Sequence, residues 1–373
     1  MRQATIVFII LVFYYTACRE RYDPPHSSLP ESFLVVEGNL DPGPGITNIR
    51  LTKTLRLEDT IKVKVENNAQ VLVEGKDGTV RNLTSMGDGY YTSPSLNLII
   101  GNEYRLKIRL SGAEYLSEFV KAKITPPIDS VNWKRNVEGV QLYVNTNDPS
   151  NNTRYYYWDY DETWEIRSTF PPNKIYENGV IRDRVFPQED VSICWKYNSS
   201  KGILIANSTR LQSDIISEFP VLFIPNADEK LFFRYSVLVR QYALEREAYN
   251  FFELMKKNTE NIGSFFGSQP SEIRGNIHCV TNPNEFVIGF VTASTVTEQR
   301  IFISTLQVPF WVRRNECEER LIANHPDSIA SAINSGLMVS IFFDIPILKY
   351  QFSFPTCVDC TKRSGSTIRP SYW

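Results

Sequence analysis

The residues of this 373-residue chain with the most specific chemistry are its six cysteines and one run of carboxylates. Cys18 stands directly behind Tyr15-Thr16-Ala17. The other five, Cys194, Cys279, Cys317, Cys357 and Cys360, are disulfide candidates, because thiols in an exported chain persist as disulfides. Cys357-x-x-Cys360 has no second such pair and no neighbouring histidine, so it does not complete a tetrahedral zinc site. Residues 361–371 lack the helical pattern that a thioredoxin-type motif requires after its cysteines. Sequence alone leaves the connectivity open. The expectation carried forward joins Cys194 to Cys279, and Cys317 to Cys357 or Cys360, with one thiol left over.

Asp159, Asp161, Glu162 and Glu165 lie among Trp158, Trp164 and several tyrosines. Paired carboxylates serve glycoside hydrolysis when two of them flank the scissile bond. Here all four share one short segment with no second acid cluster opposite, so a solvated face is expected and no catalytic residue is assigned. The aromatics read as core with a wet rim. Trp158, Asp159, Asp161, Glu162 and Trp164 are kept as a candidate ligand surface. Three histidines (His26, His278 and His325) leave little scope for imidazole chemistry. Nucleotide, zinc-protease, serine-hydrolase and EF-hand motifs are missing from the sequence. No metal, cofactor or enzymatic activity is therefore expected. A net charge of −2 without a long basic run argues against a nucleic-acid partner.

The N-terminus says where these residues work. One basic residue, Arg2, precedes an apolar run over residues 6–13, and small residues end it before Cys18. That run is too short to span a bilayer and fits a secretory signal over residues 1–17. A cysteine just after the small residue is the position that bacterial lipoproteins acylate, so Cys18 is the expected lipid attachment site and the chain is anchored rather than spanning. Residues 18–32, rich in proline and polar side chains, fit an extended tether.

The elements that hold these groups read mainly as strands. Aromatics make up 13% of residues, and with 21 prolines and 18 glycines they favour strands joined by turns. Between residues 33 and 127, short alternating segments recur with turn signals between them, among them Lys76-Asp77-Gly78. This predicts an antiparallel, immunoglobulin-like β-sandwich ending at Pro126-Pro127. Residues 128–373 predict a larger, sandwich-like β-rich domain with one or two short helices and a disulfide-tied tail. Its clearest strand runs over residues 231–239. The period then changes, and Leu244, Ala248, Phe251, Phe252 and Met255 recur at helical spacing. A second short helix is expected over residues 328–334. Further strands are read over residues 285–293 and 300–303, and the segment 263–267 lies between the first helix and these.

Several blocks taken together resemble a family of Bacteroidota lipoproteins known as domain of unknown function 4249. They are Leu34-Val35-Val36-Glu37-Gly38, Tyr157-Trp158-Asp159-Tyr160 with Glu162-Thr163-Trp164-Glu165, Cys194-Trp195, residues 234–242, Gly275-Asn276-Ile277, and the closing Cys357-x-x-Cys360 with Pro370-Ser371-Tyr372-Trp373. The tail departs from the pattern at Thr356, where another cysteine is expected. The resemblance implies an outer-membrane lipoprotein, often associated with a TonB-dependent transporter, and supplies no catalytic residues. A non-catalytic accessory or ligand-binding partner of such a transporter is the leading expectation. A structural or adhesive surface protein stands second and a glycan-active hydrolase third, since fold does not choose among them.

Overall fold

The structure, a computed structural model, describes residues 32–55, 63–260, 273–312, 316–344 and 348–373. The signal segment 1–17, Cys18, nearly all of the 18–32 tether and residues 263–267 lie outside the described residues. The fold is mainly β, as the alternating patterns require, with short helices set between the strands.

The first sandwich follows from clean period-2 burial. In Glu103–Leu110 the side chains of Tyr104, Leu106, Ile108 and Leu110 point inward and their neighbours outward. Leu34–Leu40 pairs antiparallel with Thr47–Lys53, which in turn pairs with Tyr90–Ser93. Gln70–Gly75 pairs with Glu103–Leu110, and that strand with Ala113–Ser117. Val80–Gly87 belongs to both sheets, pairing with Gln70–Gly75 through its first half and Tyr90–Ser93 through its second. The expected turn at Lys76-Asp77-Gly78 is present, with Gly78 at φ +85°.

This sandwich does not close within residues 33–127, which corrects the expected domain division. Ile277–Cys279 adds antiparallel to Ala113–Ser117, while Val287–Ile288 and Thr292–Ala293 add parallel to Leu34–Leu40. The expected strand over residues 285–293 is thus two short ones broken at Gly289, and both belong to the first sandwich. Its sheets are consequently mixed rather than purely antiparallel. Two asparagines hold the returning segment. Asn39 donates to the Ser294 carbonyl (2.7 Å) and accepts from the Thr292 hydroxyl (2.8 Å). Buried Asn276 donates to the Val291 carbonyl and accepts from its amide, at 2.9 and 2.8 Å. Two asparagine side chains therefore substitute for missing ladder bonds. Gly289, at φ +140°, lets the strand approach so closely that a Cβ there would collide with the Val36 carbonyl oxygen.

In the second sandwich, Ile128–Arg135, Gly139–Asp148 and Asp214–Pro225 form one sheet. The facing sheet runs Ile193–Ser199, Tyr155–Arg167, Arg234–Leu244 and Val296–Ser304. Leu204–Asn207 also pairs with the first part of Tyr155–Arg167. Val140, Leu142 and Val144 meet Trp158, Tyr235, Val237 and Val239 in one core, and Trp158 stacks on Phe219 at 4.6 Å. The strand read over 231–239 is shifted to Arg234–Leu244, because Glu229–Leu231 closes into a 3₁₀ turn capped by the Asp228 carboxylate. Helix Arg246–Glu260 follows at once, burying Ala248 and Phe251 as the helical spacing requires.

The rest of residues 128–373 is not sandwich. Arg320–Ala323, Lys349–Ser353 and Met338–Phe343 make a small separate sheet, with helix Pro326–Asn334 packed beside it through Ala332. Cys317–Cys357 ties this unit to the tail, and Cys194–Cys360 ties the tail to the second sandwich. The expected Cys194–Cys279 bridge is therefore wrong. Cys279 is a buried free thiol, carried away into the first sandwich by the returning strand, whereas the pairing of Cys317 with one of the final two cysteines holds. Beyond Cys360 the tail adds an antiparallel bridge from Ser366 to Trp195 and seats Trp373 against Trp195 and Phe302.

Candidate functional site

The strand Tyr155–Arg167 carries the five residues kept as a ligand surface, and its pleat separates them. Trp158, Glu162 and Trp164 turn into the core, at 0%, 1% and 8% exposure, while Asp159 and Asp161 face outward. The five do not form one surface.

Glu162 and Glu165 correct the expectation of a solvated face, since both are buried. The Glu162 carboxylate accepts from Lys230 Nζ (2.8 Å), Tyr235 Oη (2.7 Å) and Asn198 Nδ2 (2.8 Å). Burial and this neighbouring carboxylate push the Tyr235 hydroxyl well above its usual range. Lys230 also lies over the Trp164 ring, 5.2 Å from its centroid. Glu229 gathers Lys196 Nζ and Arg363 at 2.6 Å each, together with the Trp164 indole N–H at 3.2 Å. Trp158 donates to Gln241 (2.8 Å), whose amide donates on to the Pro126 carbonyl (2.9 Å) and thereby fixes the join between the sandwiches. Each of these groups is saturated by its neighbours, which is the arrangement of a buried structural network.

On the outer face Arg240 stands opposite Asp159 in register and donates to it at 2.8 Å, and it also pairs with Asp161 and with Glu298. Burial raises the Asp161 pKa, but the Ser199 hydroxyl and the Arg240 guanidinium outweigh it and hold the carboxyl below its usual range. An ion-paired carboxylate with a lowered pKa is poorly suited to donate a proton as a general acid.

Asp159 belongs to a second feature that sequence reading missed. A cavity of about 280 Å³ opens between the outer side of Leu34–Leu40, the returning segment around Gly289, the helix Arg246–Glu260 and the outer face of Tyr155–Arg167. Its walls include Tyr157, Tyr242, Phe251, Phe252 and Phe290. The Tyr157 ring lies 5.0 Å from that of Phe252 and 5.7 Å from that of Tyr242, and Phe251 lies 5.4 Å from Phe290. Polar groups are few: the Glu37 carboxylate, the Asp159–Tyr242 hydrogen bond (2.9 Å), the Asn39–Thr292 hydrogen bond (2.8 Å) and the Tyr157 hydroxyl. Burial, together with the negative charges of Asp159 and Glu37, pushes the Tyr157 hydroxyl up to about 12. The signals were present in the sequence, as Phe252 and Met255 on the helix stripe and Glu37 in the opening strand. What joins them is the long-range return of residues 287–293, which no local pattern reports.

Among the described residues no group of three or more His, Cys, Asp or Glu side chains is arranged to hold a metal ion. No described helix is long and apolar enough to cross a membrane. A search of the curated proteins finds no match to the chain. A family model described as a domain of unknown function (DUF4249) matches residues 19–300. The closing Cys357-x-x-Cys360 and residues 370–373 fall beyond the matched span. With most of its length covered by that match, the chain belongs to the DUF4249 family.

Proposed function

We propose that the protein is a non-catalytic, lipid-anchored ligand-binding protein of the outer membrane, serving as an accessory partner of a TonB-dependent transporter. The observation that carries the binding reading is the aromatic-lined cavity at the junction of the two sandwiches. A concave, largely apolar site with a few convergent polar groups at a domain junction is the usual form of a small-ligand site. The anchor reading rests on Arg2, the apolar run after it and Cys18 behind Ala17. Against a glycan-active hydrolase stands the commitment of the carboxylates. Asp159 and Asp161 share one guanidinium, and Glu162 faces the opposite side of the strand in an ion pair with Lys230.

The partner reading is tested by affinity capture of the tagged full-length protein from detergent-solubilised outer membranes, with mass spectrometry of what accompanies it. A stoichiometric transporter barrel is expected. Recovery of the protein alone overturns the accessory role in favour of a free-standing structural or adhesive surface protein.

A further inference from the structure

The cavity between the sandwiches has a charge pattern as well as a shape. None of its lining residues is basic, while two, Glu37 and Asp159, are acidic. Asp159 is matched by Arg240. Glu37 has no ion pair and no side-chain hydrogen bond among the described residues, and it is exposed at the rim. The residue opposite it in register, Arg50, turns its guanidinium over the Tyr90 ring instead, 5.1 Å from the centroid. The rings of Tyr157, Tyr242 and Phe252 line the same cavity as this carboxylate. Aromatic faces beside an uncompensated carboxylate attract an organic cation, because the ring quadrupole and the charge act in the same sense. Burial is the main cause of the raised Tyr157 hydroxyl pKa, and the negative charges of Asp159 and Glu37 push in the same direction.

We propose that this cavity binds a compact organic cation, with an alkylammonium group held against the Tyr157 and Tyr242 rings and Glu37 at the mouth. The proposal rests on the ligand-binding reading above and names the ligand class for it. An ammonium bearing methyl groups suits such a wall better than one bearing N–H donors, because the aromatic carbons have no hydrogen-bond acceptors to offer it.

The test is isothermal titration of full-length protein in detergent with choline and with its uncharged carbon isostere, 3,3-dimethylbutan-1-ol. Choline is expected to bind at least about tenfold more tightly than the isostere. Glu37→Gln, an exposed substitution that leaves both cores intact, is expected to weaken choline by about tenfold and to leave the isostere unchanged. Equal binding of the two probes reduces the cavity to an apolar hole and overturns the proposal. So does the absence of choline binding, or choline binding that ignores Glu37→Gln. None of these results alters what is captured from the outer membrane, so failure of the ligand class and failure of the transporter partnership are told apart.

Discussion

The first sandwich buries aliphatic side chains and tyrosines, and the Tyr91 and Tyr104 hydroxyls satisfy backbone groups. The Tyr91 hydroxyl donates to the Glu66 carbonyl and accepts from the Ala69 amide, at 2.9 and 2.8 Å. The second sandwich buries an ion pair, Glu162 with Lys230, and a glutamine bridging an indole to the linker. Their closures differ too. The first is completed by non-covalent strands returning from residues 277–293, the second by a tail held through Cys194–Cys360. In the second sandwich the Glu162, Glu229 and Gln241 side chains each fix a neighbouring piece: the 3₁₀ turn through Lys230, the tail through Arg363, the linker through Pro126. In the first, position is set by backbone pairing, by the uncharged Asn39 and Asn276 side chains that hold the returning segment, and by glycines that allow close approach. Buried charge is a costly way to gain stability but an effective way to specify one arrangement.

The sequence offers a convenient way to separate the two. All six tryptophans (Trp133, Trp158, Trp164, Trp195, Trp311 and Trp373) lie outside the first sandwich, so indole fluorescence follows the second unit alone. The largest expected effect is from Glu162→Ala. It leaves the Lys230 ammonium and the Tyr235 and Asn198 donors without their acceptor, which costs about 3 kcal/mol. In urea the fluorescence midpoint should fall sharply, while hydrogen exchange in residues 34–53 and 70–117 stays unchanged. An unmoved midpoint would show that Glu162 is a passive passenger and would remove the main contrast between the cores.

Next is the reciprocal perturbation, Gly289→Ala. Its φ of +140° and the contact with the Val36 carbonyl strain any side chain there, at a cost of about 2 kcal/mol. Faster exchange is expected in Leu34–Leu40 and Ala113–Ser117, with the fluorescence midpoint retained. Gly112→Ala is the control, since its φ is +85° but nothing lies within 4 Å of the added carbon. If both substitutions behave alike, close strand approach is not what seals the first sandwich.

How legible this was depends on the range of each signal. Local periods gave the helix Arg246–Glu260, the helix Pro326–Asn334 and most strands of both sandwiches, because alternation and helical stripes are properties of neighbouring residues. The return of 277–293 to the first sandwich carried no local mark, and the Cys194–Cys279 expectation failed for the same reason. Tyr155-Tyr156-Tyr157-Trp158 is aromatic on both faces, so its pleat could not be phased from hydrophobicity, and Glu162 was placed on the wet side. Its burial depends on Lys230 arriving from a turn 68 residues away. The cavity was illegible for the compound reason that its walls come from four separated segments.

The smallest expected effect separates the two units by acid. In the second sandwich Glu229 is held below the usual carboxylate range. Burial opposes this, but Lys196 and Arg363 outweigh it. The unfolded chain therefore takes up a proton there before the folded one does. The contribution of Glu229 is fully present above its unfolded pKa, near 4.5, and is lost as pH falls through its lower folded value. Asp41 in the first sandwich behaves oppositely. Burial, with a smaller push from Glu298, raises its pKa above 3.8 despite the Gly43 N–H. Its folded form binds the proton first, so acidification from neutral pH relieves a cost until its unfolded pKa is passed. Glu229→Gln should thus lower the fluorescence-detected stability at pH 7 by about 0.5–1 kcal/mol and matter progressively less below pH of about 4. Asp41→Asn should be neutral or stabilising at pH 7, with its advantage over the parent shrinking as pH falls towards 4, read by hydrogen exchange across residues 34–53. Parallel acid responses of the two variants would mean that the units share one electrostatic character, and that the contrast between their cores does not extend to charge.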